Sequence, residues 1–242
     1  MEFTSTWMTV LSGKYGGWIL NGLFMTLSVS ALSIIFALIL GTIVAVMRMS
    51  GFKPFQWLAL AYTEFFRNTP LLVQIYFWYF GSDPILPRGL AKWLYSLNLR
   101  LPYGDINFEF AAGVIALTIY TSAFIAEEIR SGVFAIPKNQ LEASRAVGLS
   151  FIGAMWYVIL PQAFRIIIPP LISQFLNLIK NSSLVAVIGV AEIFYQARQV
   201  ESNTALAFQA FTVSTLIYLI ISLLVSLFIN WYNNKYLRMI KY

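Results

Sequence analysis

The residues of this chain that could do chemistry are mostly carboxylates and cations. The 242 residues include no cysteine and no histidine, which excludes thiolate chemistry, histidine acid–base catalysis and most transition-metal sites. Glu127 and Glu128 are adjacent, so on a helix their side chains diverge by about 100° and do not form a shared acid–base pair. The chain also lacks the G-x-x-x-x-G-K-[ST] phosphate loop. We therefore expect neither enzymatic activity nor a cofactor bound by this chain itself.

The longest polar stretch, residues 127–161, contains several residues that typically begin or end helices. Pro137 fits the first turn of a helix, and residues 138–147 alternate apolar and polar side chains with the period of an amphipathic helix. Gly148 is a suitable helix stop. Ser150 can N-cap a second short helix, which should end or kink near Pro161. Two short helices joined at a glycine corner predict a protruding knob, which is either a plain connector or a docking element.

The composition is that of an integral membrane protein. Hydrophobic residues make up 59% of the chain and charged residues 11%, whereas a soluble domain has about 25% charged residues. At about 20 residues per span, the chain has room for five or six helices. The net charge of +6 suits loops beside anionic membrane lipid, and nothing in the sequence suggests nucleic acid binding.

One membrane domain is predicted over residues 1–242, with five spans and a polar loop at about 130–165. Pro70 should kink the second span, and the paired prolines 169–170 should bend the fourth. A short tail, residues 1–16, precedes the spans, and the polar loop 81–107 should contain a short helix at about 88–97. A break at 180–183 leads into a half-length apolar segment, 184–193. The spans are expected at about residues 17–46, 54–80, 108–129, 163–179 and 205–231.

The distribution of cations predicts the orientation. With five spans and the N-terminus outside, nine cations lie on the inner side and six on the outer side, a modest positive-inside bias. This places the polar loop and the C-terminus in the cytoplasm. The predicted inner cations are Arg48, Lys53, Arg130, Lys138, Arg145, Arg165, Lys235, Arg238 and Lys241, and the outer ones are Lys14, Arg88, Lys92, Arg100, Lys180 and Arg198.

Three cations are expected at membrane depth, namely Arg67, Lys180 and Arg198. Charged side chains there are functional candidates by default. The alternative is contact with a structural partner such as Glu64 or Glu192, and for Arg67 and Lys180 the sequence favours that alternative over contact with a ligand.

The polar loop resembles the EAA loop of the membrane subunits of ABC importers. That pattern is Glu-Ala-Ala, three residues, Gly, nine residues, Ile, one residue and Leu-Pro. The chain follows this spacing, with Ser144 in place of the second alanine and Val158 in place of isoleucine. The resemblance implies that the loop docks into a groove on a cytoplasmic ATPase. The predicted coupling residues are Gln140, Glu142, Ala143, Ser144, Ala146, Gly148, Leu160 and Pro161.

A wider resemblance, to permease subunits of polar amino acid ABC importers, covers nearly the whole chain. It is carried by Asn21-Gly22, by the stretch 66–74 (FRNTPLLVQ), by Glu127 with Arg130, and by 180–184. It implies an all-α, type I ABC importer permease fold with about five transmembrane helices and short cytoplasmic coupling helices. The candidates for the translocation pathway or gate are Glu64, Arg67, Pro70, Gln74, Glu127, Lys180 and Ser183.

The resemblance also implies the partners and the mechanism. A second permease, homologous or identical, would complete a pore in the bacterial inner membrane. A cytoplasmic ATPase dimer would bind ATP and Mg, and an extracytoplasmic amino acid-binding protein would deliver the substrate. The stretch from Trp78 to Trp93 is similar to glutamate and aspartate permeases, which predicts an acidic substrate. The alternatives are a secondary transporter or channel that works without an ATPase and, more distantly, an enzyme.

Overall fold

The computed structural model describes residues 2–81 and 84–232, and its architecture is almost entirely helical. The predicted inner cations Lys235, Arg238 and Lys241 lie outside the described residues. The α-helices are α1 (Glu2–Leu11), α2 (Gly13–Met49), α3 (Lys53–Asn68), α4 (Leu71–Phe80), α5 (Arg88–Tyr95), α6 (Phe108–Phe134), α7 (Lys138–Ala146), α8 (Phe151–Ala154), α9 (Leu160–Asn181), α10 (Ile193–Thr204) and α11 (Ala207–Tyr232).

Within the described residues, four helical stretches are long and apolar enough to cross a membrane: Gly13–Met49, Phe108–Phe134, Phe151–Ile188 and Ala207–Ile229. The predicted second span is not one kinked helix. It is divided into α3 and the short apolar helix α4, with Thr69 and Pro70 extended between them. The cause is local, because a proline disfavours helical geometry at the preceding residue and has no N–H to donate.

The core of the bundle is the contact between α2 and α6. Small residues allow the two helices to approach closely, as is usual inside membrane bundles. A side chain at Gly41 would lie 2.7 Å from Ile125 Cγ2. Towards the start of α6, Ser33 Oγ donates to the carbonyl oxygen of Val114 at 3.5 Å. The face of α2 that carries Gly41 and Ser33 is therefore a packing surface.

The two ends of α6 define the two ends of the bundle. At its beginning, Asn107 caps the helix by accepting from the Phe110 amide at 3.0 Å. A hairpin of β1 (Asn98–Leu101) and β2 (Gly104–Asn107) precedes it, and we call this the hairpin end. The last turn of α6 leads through three residues to α7, and we call this the loop end. The predicted short helix is present as α5. The two short strands are an addition that the sequence did not predict, within a fold that is all-α as expected.

Two helices correct the predicted chain course. The supposed N-terminal tail forms α1, and α10 lies where only a connection was expected. The carboxylate of Glu192 caps α10 by accepting from the amides of Phe194 and Tyr195 at 3.0 and 2.7 Å, and it also accepts from the Tyr218 hydroxyl. Glu192 is fully buried, so its carboxylate is a structural cap that joins α10 to α11.

The fourth span is longer than predicted. Helical structure continues from Phe151 through a π-turn at Met155–Ile159 and through α9 to Asn181. Both prolines of the 169–170 pair lie inside α9. A 3₁₀ helix, Ser182–Ile188, then takes up the predicted break and ends at Gly189, whose φ is +96°.

Candidate functional site

The corner of the polar loop is built by a hydrogen-bonded helix stop. Gly148 has a φ of +92°, in the left-handed region that favours glycine. Its amide donates to the Arg145 carbonyl oxygen at 3.0 Å, and the Leu149 amide donates to that of Ser144 at 3.2 Å. These two bonds form a Schellman motif, which fixes the direction in which the chain leaves α7. The predicted glycine corner is confirmed.

The second half of the loop begins as predicted, and the irregularity expected near Pro161 is a π-turn. The Ser150 hydroxyl accepts from the Gly153 amide at 3.1 Å, so it is the expected N-cap of α8. Pro161 does not end the helix but lies in the first turn of α9. Because Pro161 has no N–H to donate one turn back, the helix widens into the π-turn just before it. Leu160 and Pro161 therefore belong to a continuous helix that carries the knob into the bundle.

We use the term knob for α7, the corner, α8 and the π-turn, residues 138–159. Its surface around the corner is apolar and exposed. Val147, Ile152 and Trp156 are 81%, 77% and 67% exposed, and Phe151 and Tyr157 are also exposed. On α7 the exposed predicted coupling residues are Gln140, Glu142, Ala143 and Ala146.

Ser144 departs from the predicted docking face. It is 6% exposed, and its hydroxyl donates to the Leu141 carbonyl oxygen at 2.7 Å. The helix α7 packs here against α8 and the π-turn. A small residue is needed at position 144 because it lies inside the knob, so Ser144 supports the docking face from beneath.

At the loop end of the bundle, Glu127 joins three helices. Its carboxylate forms an ion pair with Arg48 of α2 at 3.1 Å and a bidentate pair with Arg130 of its own helix, at 2.5 to 3.2 Å. Arg48 Nη1 also donates to Thr63 Oγ1 of α3 at 2.6 Å. We call Arg48, Thr63, Glu127 and Arg130 the Glu127 clamp. Glu128 points elsewhere and accepts from Gln174 of α9 at 3.3 Å, as the divergence of adjacent helical positions predicts.

The candidates around the α3–α4 break have distinct surroundings. Glu64 is exposed and accepts from Asn68 at 3.1 Å. Gln74 is buried, and its amide donates to the Phe66 and Thr69 carbonyl oxygens at 2.9 and 3.1 Å, which fastens the divided helix. Pro70 is exposed and is the N-cap residue of α4.

Arg67 lies close to the clamp without joining it. Its guanidinium carbon is 5.5 Å from the ring centre of Phe124, and its positive charge acts on the carboxylate of Glu127. Among the described residues, the ion pairs are those of Glu127 with Arg48 and Arg130. In this part of the chain, neither Arg67 nor Lys180 forms an ion pair with Glu64 or Glu192.

Lys180 and Ser183 lie at the other end of α9, away from the clamp. Lys180 is exposed, and the Ser183 hydroxyl donates to the Lys180 carbonyl oxygen at 2.8 Å. Beside them, between α6 and α9, is a polar cavity of about 120 Å³, large enough for roughly four water molecules. It is lined by Tyr120, Thr121, Phe124, Gln174, Asn177, Leu178 and Asn181.

The sequence interpretation did not single out this cavity or the role of Arg48. A signal for the cavity was available, because Gln174, Asn177 and Asn181 are spaced by three and four residues in a helix whose other residues are mostly apolar. That spacing places three amides on one helix face, and polar groups within a span face the interior of the bundle. For Arg48 the sequence gives no such signal, since its partner is 79 positions away on another helix.

Comparisons with known proteins agree with this architecture. The family described as the binding-protein-dependent transport system inner membrane component matches residues 37–238. The probable glutamine ABC transporter permease protein GlnM of Bacillus subtilis (strain 168) is 43% identical over 89% of this chain and 92% of its own. The glutamate/aspartate import permease protein GltJ of Escherichia coli (strain K12) is 32% identical over 91% of this chain and 88% of its own.

Solved structures support the same assignment. A crystal structure of an amino acid ABC transporter with histidines superposes with a TM-score of 0.79 at 35% identity, covering 92% of this chain and 95% of that one. An inward-facing structure of the MetNI methionine ABC transporter gives a TM-score of 0.67 at 17% identity, over 90% and 96% of the two chains, which shows a shared fold. The chain therefore belongs to the binding-protein-dependent transport system inner membrane component family, with the type I importer fold, and is an amino acid ABC transporter permease.

Proposed function

We propose that the knob is the site at which a cytoplasmic ATPase docks and drives this permease. The observation that carries the proposal is the exposed apolar surface at the corner, formed by Val147, Ile152 and Trp156 beside the polar face of α7. A contiguous apolar patch with a polar rim marks a protein contact. The ATPase dimer binds ATP and Mg, and a second permease and an extracytoplasmic amino acid-binding protein complete the transporter.

The orientation that this proposal requires has the loop end in the cytoplasm and the N-terminus outside. The cations of the loop end, including Arg130, Lys138 and Arg145, favour that side. The chain contains no cysteine, and Arg88 and Asn139 are both exposed at opposite ends of the bundle.

We expect a membrane-impermeant thiol reagent to label Arg88→Cys in intact cells, whereas Asn139→Cys is labelled only after the membrane is opened. Both sites are exposed, so a difference in labelling reports the side of the membrane. The opposite pattern would contradict the orientation.

For the substrate, we propose the acidic amino acids glutamate and aspartate. The relative GltJ is a glutamate/aspartate permease, and Arg67, a cation outside any ion pair of the described residues, contacts Phe124 at the wall of the polar cavity. Glutamine is the second candidate. It is favoured by the relative GlnM and by the neutral amides of Gln174, Asn177 and Asn181, which can both donate to and accept from an amide side chain.

Uptake into proteoliposomes that contain the whole transporter separates these candidates and the alternative mechanism. Labelled glutamate, aspartate and glutamine are offered singly and in competition, with and without ATP. Uptake of an acidic amino acid in preference to glutamine supports the first proposal, and the reverse preference supports the second. Uptake that is independent of ATP would indicate a secondary transporter or channel and would overturn both.

We further expect Asn177→Leu to lower uptake by roughly tenfold or more. A hydrogen bond to a charged group contributes about 1.5–3 kcal/mol, and each 1.4 kcal/mol corresponds to a factor of ten. Ser173→Ala is the matched control, because Ser173 is an exposed residue of the same helix outside the cavity lining. Normal uptake by Asn177→Leu would place the cavity off the pathway.

A further inference from the structure

The Glu127 clamp connects the helix that carries the knob to the rest of the bundle. The helix α6 passes through only Ala135, Ile136 and Pro137 before α7 begins. One turn earlier, Gly132 of α6 packs directly against Ile167 of α9. The knob is thus inserted between two helices that touch each other, so we expect a displacement of the knob to act on the loop ends of α6 and α9 together.

The helices α2 and α3 have no such covalent connection to the knob. Arg48 lies in the last turn of α2, and Thr63 lies in α3. Of the polar contacts described at the loop end, the Arg48–Glu127 ion pair joins α6 to α2, and the Arg48–Thr63 hydrogen bond extends the connection to α3. Tyr62 adds a second link between α3 and α6 further into the bundle, where its hydroxyl bonds to Ser122 at 2.7 Å.

The hydrogen bonds around the Arg48–Glu127 ion pair allow it to break and re-form. If Arg48 leaves Glu127, the carboxylate keeps its bidentate pair with Arg130, and the guanidinium keeps its hydrogen bond to Thr63. The loss of a buried ion pair is costly when it leaves a charge without a partner. Here neither charge is left without one. Glu127 and Arg48 are also partly accessible, at 21% and 17% of their side-chain surface, so water can reach both when they separate.

We propose that the Arg48–Glu127 ion pair is the contact that breaks and re-forms during transport, and that it passes the movement of the knob to α2 and α3. This inference rests on the proposed function, because the movement originates in the ATPase. Arg48 and Glu127 act as positioning residues that couple ATP hydrolysis to opening of the loop end. They do not determine which amino acid is carried.

The first test replaces Arg48 with glutamine in the complete transporter. We expect the Arg48→Gln transporter to bind the ATPase normally and to hydrolyse ATP within about twofold of the wild-type rate. The number of amino acid molecules transported per ATP hydrolysed should fall about tenfold, which corresponds to a loss of about 1.4 kcal/mol. Arg48→Lys keeps the positive charge and should recover most of the ratio. Lys53→Gln, an exposed cation beyond the clamp, is the matched control. A variant with the wild-type ratio of transport to hydrolysis overturns the inference.

The second test uses a reversible cross-link, so that each preparation serves as its own control. The double variant Arg48→Cys/Glu127→Cys carries the only two thiols of the chain, and a short bifunctional thiol reagent with a reducible link should join them. We expect joining to stop transport and reduction to restore the rate measured before treatment, with each single variant unaffected. Transport that continues at that rate after joining overturns the inference and leaves ATPase docking untouched. Failure of the wild-type chain to bind an ATPase would instead overturn the proposed function.

Discussion

Replacing Gly148 with aspartate should abolish docking of the ATPase and, with it, transport. Gly148 stands at the corner of the knob in a left-handed conformation, with open space around it. Aspartate adopts that conformation more readily than most residues, so the fold of the knob should survive. In the docked state, however, an unpaired carboxylate would be buried against the partner, at a cost of roughly 2–5 kcal/mol. That corresponds to about a 30- to several-thousand-fold weaker complex.

The measurement is co-purification of the ATPase with the variant, together with uptake into proteoliposomes. Gly148→Asn is the matched control, because asparagine has the same shape and the same tolerance of left-handed geometry without the charge. The Gly148→Asn variant should bind more ATPase than the Gly148→Asp variant does. Stoichiometric ATPase and normal uptake with Gly148→Asp would show that the knob is only a connector.

The knob could be predicted almost completely because its signals are local. A proline before α7, a glycine at the stop and a serine at the next N-cap each act within four residues, and Gly148 and Ser150 take the predicted roles. Near Pro161 the sequence left two outcomes open, an end or a kink of the helix. Proline removes one hydrogen bond whether the helix ends or widens, and only the packing of the helix on either side decides between the two outcomes.

The features that could not be predicted depend on contacts between distant segments. The strands β1 and β2 are four residues each, and their hairpin is seated against α2, where Gly104 lies so close to Met25 that a side chain would meet its sulfur at 2.7 Å. Glu192 illustrates the same limit for a charge. A carboxylate in an apolar segment suggests an ion pair, but here backbone amides and the hydroxyl of Tyr218 satisfy it. No pattern around residue 192 specifies residue 218.

The largest effect on stability is expected from Gly132→Ala. A Cβ at Gly132 would overlap Cγ1 of Ile167, and Ile167 is itself buried, with 3% of its surface exposed. The clash can be relieved only by moving α6 away from α9 or by forcing Ile167 from its rotamer. Overpacking of this kind costs typically 1–3 kcal/mol, so the thermal unfolding midpoint in detergent should fall. Because Gly132 lies only six residues before the knob, transport should fall as well.

Two further variants separate overpacking from the general effect of adding a methyl group. Gly17→Ala is the control, since Gly17 lies in α2 with nothing near its Cβ position. Within a helix, alanine is more favourable than glycine by roughly 0.5–1 kcal/mol. This variant should therefore leave the thermal midpoint unchanged or raise it slightly. Ile167→Ala removes the atom that the new Cβ would overlap. The double variant Gly132→Ala/Ile167→Ala should therefore be less destabilised than the sum of the two single variants predicts. Strict additivity of the two changes would mean that α6 and α9 do not meet at this point.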